Sequence, residues 1–461
     1  MMKRIVIIGA GESGVGAAIL AKKQGFDVFV SDYGTIAHEY KLELDAMGVA
    51  YEEKQHTEGL ILNAFEIIKS PGVPDHVAII QKAFELSIAV ISEIEFASRY
   101  TDAKIIAITG SNGKTTTTLL TYHFLQKAGL NVGVAGNIGD SFARKVATQD
   151  FDFYVLEISS FQLDGCFEFK PKVAILLNIT PDHLDRYDND FDTYAASKFR
   201  ITQNQDFNDY LITFKDSEEI QSSPLYLQSK AFKLNVSVED KVLNGAYFSQ
   251  DRLIFNINNH FKSVFNIDVT QLPLSGQHNM VNIMSAAMAA LAVGVSNEQI
   301  TKSLNSFKNA EHRLEEVAVT NGVMYINDSK ATNVDAVKYA LDAYEKPIIW
   351  IAGGVDKGND YTQIDEVVYE KVRAVICLGK DNSKLKEHFK DKIEYVYESS
   401  DMFDAVKIAH EMSEYGDHVL LSPACASFDL FKNYEDRGQK FKQAVNQFIN
   451  TQPPELNSIV F

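Results

Sequence analysis

The most constraining feature of the sequence is an apolar run followed by a glycine loop, a lysine and a row of hydroxyls. Residues 105–109 are IIAIT, residues 110–116 are GSNGKTT, and a helical pattern follows. Glycines allow backbone N–H groups to point inward, and a helix N-terminus attracts anions. Lys114 would neutralise terminal phosphates, and the Thr115 hydroxyl would bind magnesium. The segment therefore predicts an α/β unit with a phosphate site at Gly110, Ser111, Asn112, Gly113, Lys114, Thr115 and Thr116.

This loop is shorter than the usual phosphate-binding loop. The common pattern is GxxxxGK[ST], whereas here the first glycine lies three residues before Gly113. An ordinary glycine turn with an exposed lysine is the alternative interpretation, but such a turn would not require the hydroxyls that follow Lys114. A carboxylate should complete a magnesium site, and Glu157 ends the apolar run at 153–158. Alone, it could equally be a solvated acid at the end of a strand.

Length and charge restrict the class of protein. A chain of 461 residues is too long for one core, and three domains are expected. The net charge of -18, with no basic patch, argues against nucleic-acid binding. Cys166, Cys377 and Cys425 are widely spaced, which argues against a disulfide framework or a zinc site and favours a reducing compartment. The apolar run at 5–9 is too short for a signal peptide, and no membrane span is found, so a cytoplasmic protein is expected.

Short apolar runs alternate with helical segments in three parts of the chain, which predicts parallel sheets. Predicted strands lie at 5–8, 28–31 and 65–70, then at 105–109, 153–158 and 173–179, then at 348–352, 374–378, 393–396 and 418–421. Predicted helices include 14–24, 40–47 and 279–293. A polar, β-rich span covers 209–268, and Asn321-Gly322 predicts a hairpin turn. The expected fold is α/β with domains at 1–93, 94–308 and 309–461: Rossmann-like, a P-loop ATP-binding domain with a mainly parallel sheet plus a smaller β region, and Rossmann-like again.

The first domain has a weaker phosphate signal. Residues 9–14 are GAGESG after a strand, and Asp32 follows about twenty residues later. This is a generic dinucleotide fingerprint. The same backbone would also hold the diphosphate of a UDP-sugar, so the pattern indicates a phosphate site without fixing the nucleotide.

Several segments together resemble the Mur ligases. They are GSNGKT at 110–115, GNIG at 136–139, EISS at 157–160, NITPDHLDR at 178–186, GQHN at 276–279, NDSKATN at 327–333 and SPACAS at 422–427. The resemblance implies a first domain that binds a UDP-sugar, a central ATP domain, and a last domain for the incoming amino acid. It implies phosphorylation of a substrate carboxylate by ATP, attack by the amine, and loss of phosphate. The last two segments, with KNYEDRG at 432–438, resemble members that add D-glutamate to UDP-N-acetylmuramoyl-L-alanine in peptidoglycan precursor synthesis.

The resemblance also implies roles for individual residues. Lys114, Glu157, His183 and Lys198 would be catalytic, and two Mg²⁺ ions would be held by Thr115, Glu157, His183 and Lys198, the last as a carbamate. ATP would also contact Asn279, Asn282, Arg313 and Asp328. The UDP-sugar would contact Ser13, Gly14, Asp32, Ser70, Pro71, Gly72 and Asn137. D-Glutamate would contact Lys330, Thr332, Lys357, Ser427, Phe428 and Tyr434. The partners would be these small molecules, with no nucleic acid or membrane, and the enzyme would be a monomer.

The chain departs from the family pattern after Asp32. It has Tyr33-Gly34 where family members can carry a hydroxyl residue and an arginine, so different local contacts to the uracil or diphosphate are expected. For Lys198, residue type alone would indicate a solvated surface lysine. Only its match to AASK at 195–198 reverses that interpretation.

Four other functions are alternatives to this one. A sister ligase that adds L-alanine would lack the segment with Ser427 and Tyr434, and a folate polyglutamate synthase would lack the fingerprint of the first domain. A nucleotide-switched structural ATPase would turn over ATP without any amino acid. An NAD-linked oxidoreductase would leave the loop at 110–116 unexplained, and NADH titration would test it.

Overall fold

The computed structural model describes residues 3–257, 263–274, 276–344, 347–451 and 459–460. The chain divides into two compact units, Met1–Pro273 with Met280–Phe307, and Leu274–Asn279 with Lys308–Phe461. The described residues form three sheets, two in the first unit and one in the second. No helix among the described residues has both the length and the apolarity needed to cross a membrane.

The first sheet is wholly parallel and has the order β3-β2-β1-β4-β5. Its strands are apolar runs buried between helices, as parallel sheets require. Ile5 at its centre lies opposite Val28 on one side and Glu66 on the other. The strands are β1 Arg4–Ile8, β2 Asp27–Asp32, β3 Ala50–Glu53, β4 Glu66–Lys69 and β5 Ala89–Ile91, and the helices are α1 Glu12–Lys23, α2 His38–Ala46, α3 Glu58–Ile61, α4 Ala78–Glu85 and α5 Glu93–Ser98.

The second sheet has nine strands in the order β14-β13-β12-β11-β10-β9-β6-β8-β7. The strands are β6 Lys104–Thr109, β7 Val132–Gly136, β8 Phe153–Glu157, β9 Val173–Leu176, β10 Tyr210–Phe214, β11 Phe232–Ser237, β12 Gly245–Ser249, β13 Arg252–Ile257 and β14 Ser263–Asp268. All neighbours pair in parallel except β12 with β13 and β13 with β14. The β-rich span at 209–268 is thus a continuation of the central sheet, and part of it, residues 258–262, lies outside the described residues.

Eight helices accompany this sheet among the described residues. They are α6 Lys114–Lys127, α7 Phe142–Thr148, α8 Ser160–Asp164, α9 Phe191–Phe199, α10 Glu218–Gln221, α11 Pro224–Gln228, α12 Gln277–Ala292 and α13 Asn297–Leu304. Strand β9 ends at Leu176, three residues before the end of the predicted strand, so residues 177–183 form a loop.

The third sheet has the order β19-β18-β17-β20-β16-β15-β21. Its strands are β15 Glu315–Thr320, β16 Val323–Asn327, β17 Ile348–Ala352, β18 Val372–Leu378, β19 Tyr395–Ser399, β20 His418–Leu421 and β21 Ile459–Val460, with helices α14 Val334–Asp342, α15 Asp365–Lys371, α16 Ser383–Phe389, α17 Met402–Met412 and α18 Tyr434–Thr451. The predicted hairpin joins β15 to β16, and Asn321 and Gly322 have φ of 52° and 77°, as a type I′ turn requires.

Two predicted boundaries in this unit need correction. The strand predicted at 393–396 begins at Tyr395 instead, because the N–H groups of Lys392 and Ile393 donate to Phe389 O and close the preceding helix. The predicted strand at 374–378 begins two residues earlier, at Val372.

The first two sheets share one hydrophobic core. It contains Ile5 and Val30 from the first sheet together with Phe142, Tyr154 and Leu176 from the second. Helix α1 approaches the N-terminus of α7 so closely that a Cβ on Gly16 would lie 1.9 Å from Ser141 Oγ. The first and second sheets are therefore packed as one body.

Candidate active site

The predicted phosphate and metal residues lie at one edge of the central sheet. The loops that carry them follow β6, β7, β8 and β9, which are neighbours in the order β9-β6-β8-β7. These strands are parallel, so their carboxyl ends meet at the same edge, where such folds bind ligands. The topology thus brings together residues that are up to 88 positions apart in sequence, such as Gly110 and Lys198.

The phosphate loop joins β6 to α6 and depends on both glycines. Gly110 has φ of 154° and Gly113 has φ of 81°. A Cβ on Gly113 would lie 2.4 Å from Asn282 Oδ1, which in turn accepts a hydrogen bond from Thr117 Oγ1 at 3.1 Å. Lys114 Nζ donates to Gly110 O at 2.7 Å and to Ser111 O at 2.8 Å. The lysine is therefore held over the loop at the start of the helix.

Glu157 ends β8 with a buried carboxylate. Its Oε1 accepts a hydrogen bond from Asn137 Nδ2 at 2.8 Å, whereas its buried Oε2 has no hydrogen-bond partner in the described part of the chain. A buried, unpaired carboxylate oxygen is costly unless a cation or donor satisfies it. The described residues contain no cluster of three or more His, Cys, Asp or Glu side chains able to hold a metal. The donor set fits Mg²⁺, which takes one or two carboxylates and completes its shell with phosphates, hydroxyls and water.

Lys198 is buried on α9, contrary to what its residue type suggests. Its Nζ donates to Gly110 O at 3.0 Å and lies 4.5 Å from the centre of the Tyr194 ring. Burial, and then the charge of Lys114, hold the pKa of Lys198 well below that of an ordinary lysine. The neutral amine is therefore more accessible at this position than in an ordinary lysine.

His183 lies in the loop after β9 in a left-handed conformation, with φ of 51°. Its Nε2 is 3.6 Å from Asp182 Oδ2, and its ring is 5.5 Å from that of Phe161. Six predicted residues line one cleft of about 320 Å³ in the first unit: Pro71, Gly72, Lys114, Asn137, His183 and Lys198.

Arg186 also lines this cleft and was not among the predicted site residues. Its guanidinium lies 4.5 Å from the centre of the Phe161 ring, and its Nη2 donates to Pro71 O at 3.3 Å. The sequence feature that could have identified Arg186 is its position at the end of the NITPDHLDR segment.

The first sheet carries a second cavity of about 500 Å³ at the carboxyl ends of its strands. Asp32 Oδ2 accepts a hydrogen bond from Ala10 N at 2.6 Å, and Asp32 Oδ1 accepts one from Gly34 N at 2.7 Å. Ser70 Oγ donates to Gly9 O at 3.0 Å. Asp32 and Ser70 thus hold the glycine loop in shape, and the predicted Ser13 and Gly14 lie at the start of α1 beside it.

Two aromatic residues line this second cavity and were not predicted as binding residues. Tyr33 is 75% exposed, and its ring centre lies 5.7 Å from that of His56. His56 Nδ1 is 2.7 Å from Ser31 Oγ, which also donates to Glu52 Oε1. The available signal was an aromatic residue directly after Asp32.

In the second unit, Arg313 and Asp328 form an electrostatic pair. Burial raises the pKa of Asp328 to about 7, and the charge of Arg313 opposes that rise. Asp328 also accepts hydrogen bonds from Ser422 Oγ at 2.9 Å and Leu314 N at 3.3 Å. His312 and Leu314, on either side of Arg313, have φ of 63° and 45°, a strained conformation for such residues.

His278, which precedes Asn279, also interacts electrostatically with Arg313. Burial, with the charge of Arg313, lowers the pKa of His278 to about 4. Asn279 is itself buried, as is Asn282 in the first unit.

The residues predicted for D-glutamate follow three neighbouring strands, β16, β20 and β17. Lys330 and Thr332 come after β16, Lys357 after β17, and Ser427, Phe428 and Tyr434 after β20. Lys330 Nζ lies 5.3 Å from the centre of the Tyr434 ring. Ser427 is buried, Lys357 is exposed, and Phe428 is 72% exposed, so the predicted residues do not form one enclosed group.

Arg437 holds these loops together and was not predicted. It is fully buried and donates to Ser329 Oγ at 3.0 Å, Ser329 O at 2.8 Å and Cys425 O at 3.0 Å. The loops also bond directly, since Val355 N donates to Ala426 O at 2.8 Å and Ala424 N donates to Ala331 O at 3.0 Å. The KNYEDRG segment contained this arginine, but nothing in its residue type indicated burial.

The chain is similar along nearly its whole length to curated bacterial ligases. A UDP-N-acetylmuramoylalanine--D-glutamate ligase of Porphyromonas gingivalis is 52% identical over 444 residues, which cover 96% of this chain and 98% of the relative. One of the same name from Christiangramia forsetii is 50% identical over 449 residues, covering 96% and 99%. The chain belongs to the Mur ligase family. Family models match it as MurD N-terminal domain at residues 4–79, Mur ligase middle domain at 108–290, and Mur ligase, glutamate ligase domain at 312–425.

Solved structures of Mur ligase relatives share this fold. A pseudomurein peptide ligase type C from Methanothermus fervidus has a TM-score of 0.61 at 18% identity, covering 97% of this chain and 100% of its own. A UDP-N-acetylmuramate-alanine ligase from Thermotoga maritima has a TM-score of 0.61 at 16% identity, covering 98% and 100%. The prediction of an α/β fold in three domains with mostly parallel sheets is confirmed.

Proposed function

We propose that this Mur ligase joins D-glutamate to UDP-N-acetylmuramoyl-L-alanine, with conversion of ATP to ADP and phosphate, in peptidoglycan precursor synthesis. The observation that carries the proposal is about 50% identity, over 96% of the chain, to ligases named for that reaction. The positions of the described residues support assigning each substrate to a different set of loops.

The ATP phosphates are assigned to residues 110–116. Backbone N–H groups of the loop and the start of α6 provide the anion site, and Lys114 provides the charge. Asn282 supports the loop through Gly113 and Thr117. Asn279, Arg313 and Asp328 are assigned to the rest of the nucleotide.

Two Mg²⁺ ions are proposed, one held by Thr115 and Glu157 and the other by His183 and carbamylated Lys198. When bound, they would screen the negative charges of the γ-phosphate and the substrate carboxylate, which must approach each other. The unpaired Glu157 Oε2 supports the first assignment. Lys198 supports the second because a neutral amine can attack CO₂, forming an N–C bond and releasing a proton to give an anion.

The proposed reaction has two steps. The L-alanyl carboxylate oxygen attacks the γ-phosphorus, and the bond between that phosphorus and the bridging oxygen of ADP breaks. The D-glutamate amine, as the free base, then attacks the acyl carbon. The new C–N bond replaces the C–O bond, phosphate leaves with the former carboxylate oxygen, and the amine nitrogen releases one proton.

We assign the UDP-sugar to the cavity of the first sheet and the cleft beside it. Ser13, Gly14 and Ser70 would support the diphosphate, and Asp32 would act through the loop that it holds. Tyr33 and His56 offer aromatic surface to the uracil, in place of the arginine that other members can carry. Pro71, Gly72 and Asn137 lie in the cleft with Lys114, where the acceptor carboxylate would be required.

D-Glutamate is assigned to the second unit. Lys330 and Lys357 would neutralise its carboxylates, and Thr332, Ser427, Phe428 and Tyr434 would supply hydroxyls and contact surface. Arg437, by bonding to the loops after β16 and β20, would keep this group in place.

We further propose domain boundaries at 1–93, 94–308 and 309–461, because each of the three family models falls inside one of these ranges. We also propose that the enzyme is a monomer, and that it is cytoplasmic, since its cosubstrate would be ATP.

The test is phosphate release from ATP and Mg²⁺ with UDP-N-acetylmuramoyl-L-alanine, comparing D-glutamate, L-glutamate and L-alanine. Release that depends on D-glutamate, with an amide product of the expected mass, supports the proposal. Lys114→Met is the control for background ATPase. Turnover indifferent to the amino acid would overturn it, and turnover of the bare UDP-sugar with L-alanine would move the chain to the sister activity.

A further inference from the structure

The glycine loop of the first sheet contains a carboxylate that is bonded to the central domain. Glu12 is the fourth residue of GAGESG and the first of α1. Its Oε1 accepts hydrogen bonds from Ser141 N at 3.0 Å, Ser141 Oγ at 3.1 Å and Arg144 Nε at 2.7 Å, and its Oε2 accepts one from Arg144 Nη2 at 2.9 Å. Both oxygens are therefore used by α7 and the residue before it.

Arg144 binds a second carboxylate from the first domain. Its Nη1 donates to Glu43 on α2, so the guanidinium bridges two acidic side chains. The Arg144 side chain is only 18% exposed, which makes the bidentate pair with Glu12 less screened than a surface ion pair.

The contact between Glu12 and Ser141 lies next in sequence to a loop that lines the cleft containing Lys114. Ser141 caps α7 through a hydrogen bond from Arg144 N, and it follows the GNIG loop at 136–139. Asn137 in that loop lines the cleft and bonds to Glu157. Gly16 of α1 packs against Ser141 with no room for a Cβ, so α1 lies in close contact with the residue that precedes α7.

A carboxylate at this place has an electrostatic cost. An acid in the first turn of a helix competes with any anion bound at that helix N-terminus. In the proposed function, the anion is the UDP diphosphate at the start of α1. The Glu12 charge would repel it, and the Arg144 guanidinium, which Glu12 shares with Glu43, offsets part of that repulsion.

We propose that Arg144 is a positioning residue for the UDP-sugar, which neutralises Glu12 beside the diphosphate loop and fixes that loop against residues 136–141. The inference rests on the proposed function. It assigns a role in substrate affinity to a residue that would touch neither the substrate nor the reacting atoms.

The test compares Arg144→Met, Glu12→Gln and the double variant, with KM measured for each substrate. Arg144→Met removes the cation that pairs with Glu12 and leaves only the Ser141 hydrogen bonds to it. We expect its KM for the UDP-sugar to rise about tenfold while the KM values for ATP and D-glutamate change less than about twofold. In the double variant the repelling charge is gone, so KM should return to within about threefold of wild type. Glu43→Gln is the matched control, since it removes a partner of Arg144 outside the loop, and its KM should stay within about twofold of wild type.

A double variant as weak as or weaker than Arg144→Met would overturn the inference, because loss of packing alone predicts no rescue. An unchanged KM in Arg144→Met would also overturn it. If Arg144→Met fails to fold, Arg144→Lys keeps the charge without the fork and should show the smaller rise in KM, with a rise as large as tenfold contradicting neutralisation. Calorimetry of UDP binding to the wild-type enzyme separates the two proposals: no binding would count against the proposed function, whereas binding without rescue counts against the inference alone.

Discussion

At the scale of single residues, the active site shows which roles can be predicted from residue type. Lys114 and Glu157 follow apolar strands within recognisable motifs, so their placement follows from local sequence. Lys198 does not, because its burial depends on Gly110, 88 positions earlier in the chain. Arg437 was missed for the same reason, since its partner Ser329 lies 108 positions earlier in the chain.

The low pKa of Lys198 leads to a prediction about carbon dioxide. A neutral amine forms a carbamate, whereas an ammonium does not, so the lowered pKa should allow the modification at neutral pH. We expect activity to fall in CO₂-depleted buffer and to recover when bicarbonate is added. The measurement is turnover across a bicarbonate titration, with ¹³C NMR of enzyme exchanged with ¹³C-bicarbonate to detect the carbamate.

Lys198→Arg is the control for this prediction, because a guanidinium keeps the positive charge but cannot be carbamylated. It should lose activity by roughly 10²–10³-fold and show no response to bicarbonate. Full activity in Lys198→Arg, or wild-type activity indifferent to CO₂, would rule out a functional carbamate.

At the scale of secondary-structure elements, apolar runs predicted most strands, and glycine-rich strands were missed. Residues 132–136, VGVAG, form β7 although two glycines weaken the pattern, and β3 and β5 are only four and three residues long. Which strands pair with each other was harder to predict from the sequence than where the strands lie. The span at 209–268 was predicted as a β region, but its continuation of the central sheet depends on β10 pairing with β9, which local sequence does not encode.

Gly113 in the phosphate loop and Gly129 after α6 have the same backbone conformation. Alanine substitutions at the two positions can therefore distinguish backbone strain from steric contact. Gly113 and Gly129 have φ of 81° and 83°, but only Gly113 has an atom, Asn282 Oδ1, within contact of an added Cβ. Alanine at either position should cost about 1–2 kcal/mol of folding free energy through the left-handed conformation. Only Gly113→Ala should also raise the KM for ATP, by about tenfold or more, because it displaces Asn282 and the loop. Equal KM values for the two variants would contradict the proposed role of the loop.

The contact between α5 and α7 predicts a pH dependence of stability. Burial raises the pKa of Glu93 to about 8, although its hydrogen bond from Ala143 N lowers it, and the charge of Glu12 raises it further. The folded protein therefore retains a proton that the unfolded chain releases near pH 4.5. Stability from this group is present below that pH and is lost as pH rises toward about 8.

Glu93→Gln stays neutral at every pH and should escape this loss. We expect the Tm of Glu93→Gln relative to wild type to increase by about 5 °C between pH 5 and pH 8, measured by calorimetry. Glu85→Gln, on the exposed end of α4, should show no such increase. A constant difference between Glu93→Gln and wild type would show that Glu93 does not titrate in this range.

At the scale of the whole molecule, the cores of the two units predict which fragments fold alone. The third sheet has its own buried clusters, drawn wholly from residues 317–448, whereas the first and second sheets share one. We expect residues 309–461 to fold as an isolated fragment. Residues 1–93 alone should not unfold cooperatively, because they would expose the face of α1 that packs against the central domain and would lack Ile94 and Phe96 of α5, which belong to the shared core.

The single tryptophan makes this prediction easy to measure. Trp350 is fully buried in the third sheet and donates to Ser422 O at 2.7 Å, so its fluorescence reports only on the second unit. The urea midpoint followed by Trp350 should be similar in the fragment and in the full chain. A fragment with the fluorescence of exposed tryptophan would place the boundary elsewhere.

The most direct test of the ligase mechanism follows an oxygen atom. UDP-N-acetylmuramoyl-L-alanine labelled with ¹⁸O in its alanyl carboxylate is incubated with ATP, Mg²⁺ and D-glutamate, and the released phosphate is analysed by mass spectrometry. Attack of the carboxylate on the γ-phosphorus predicts one ¹⁸O in each phosphate, formed in step with the amide product. Phosphate that carries no ¹⁸O would mean that ATP is hydrolysed by water, and it would contradict the acyl-phosphate route and the assignment of the cleft to that step.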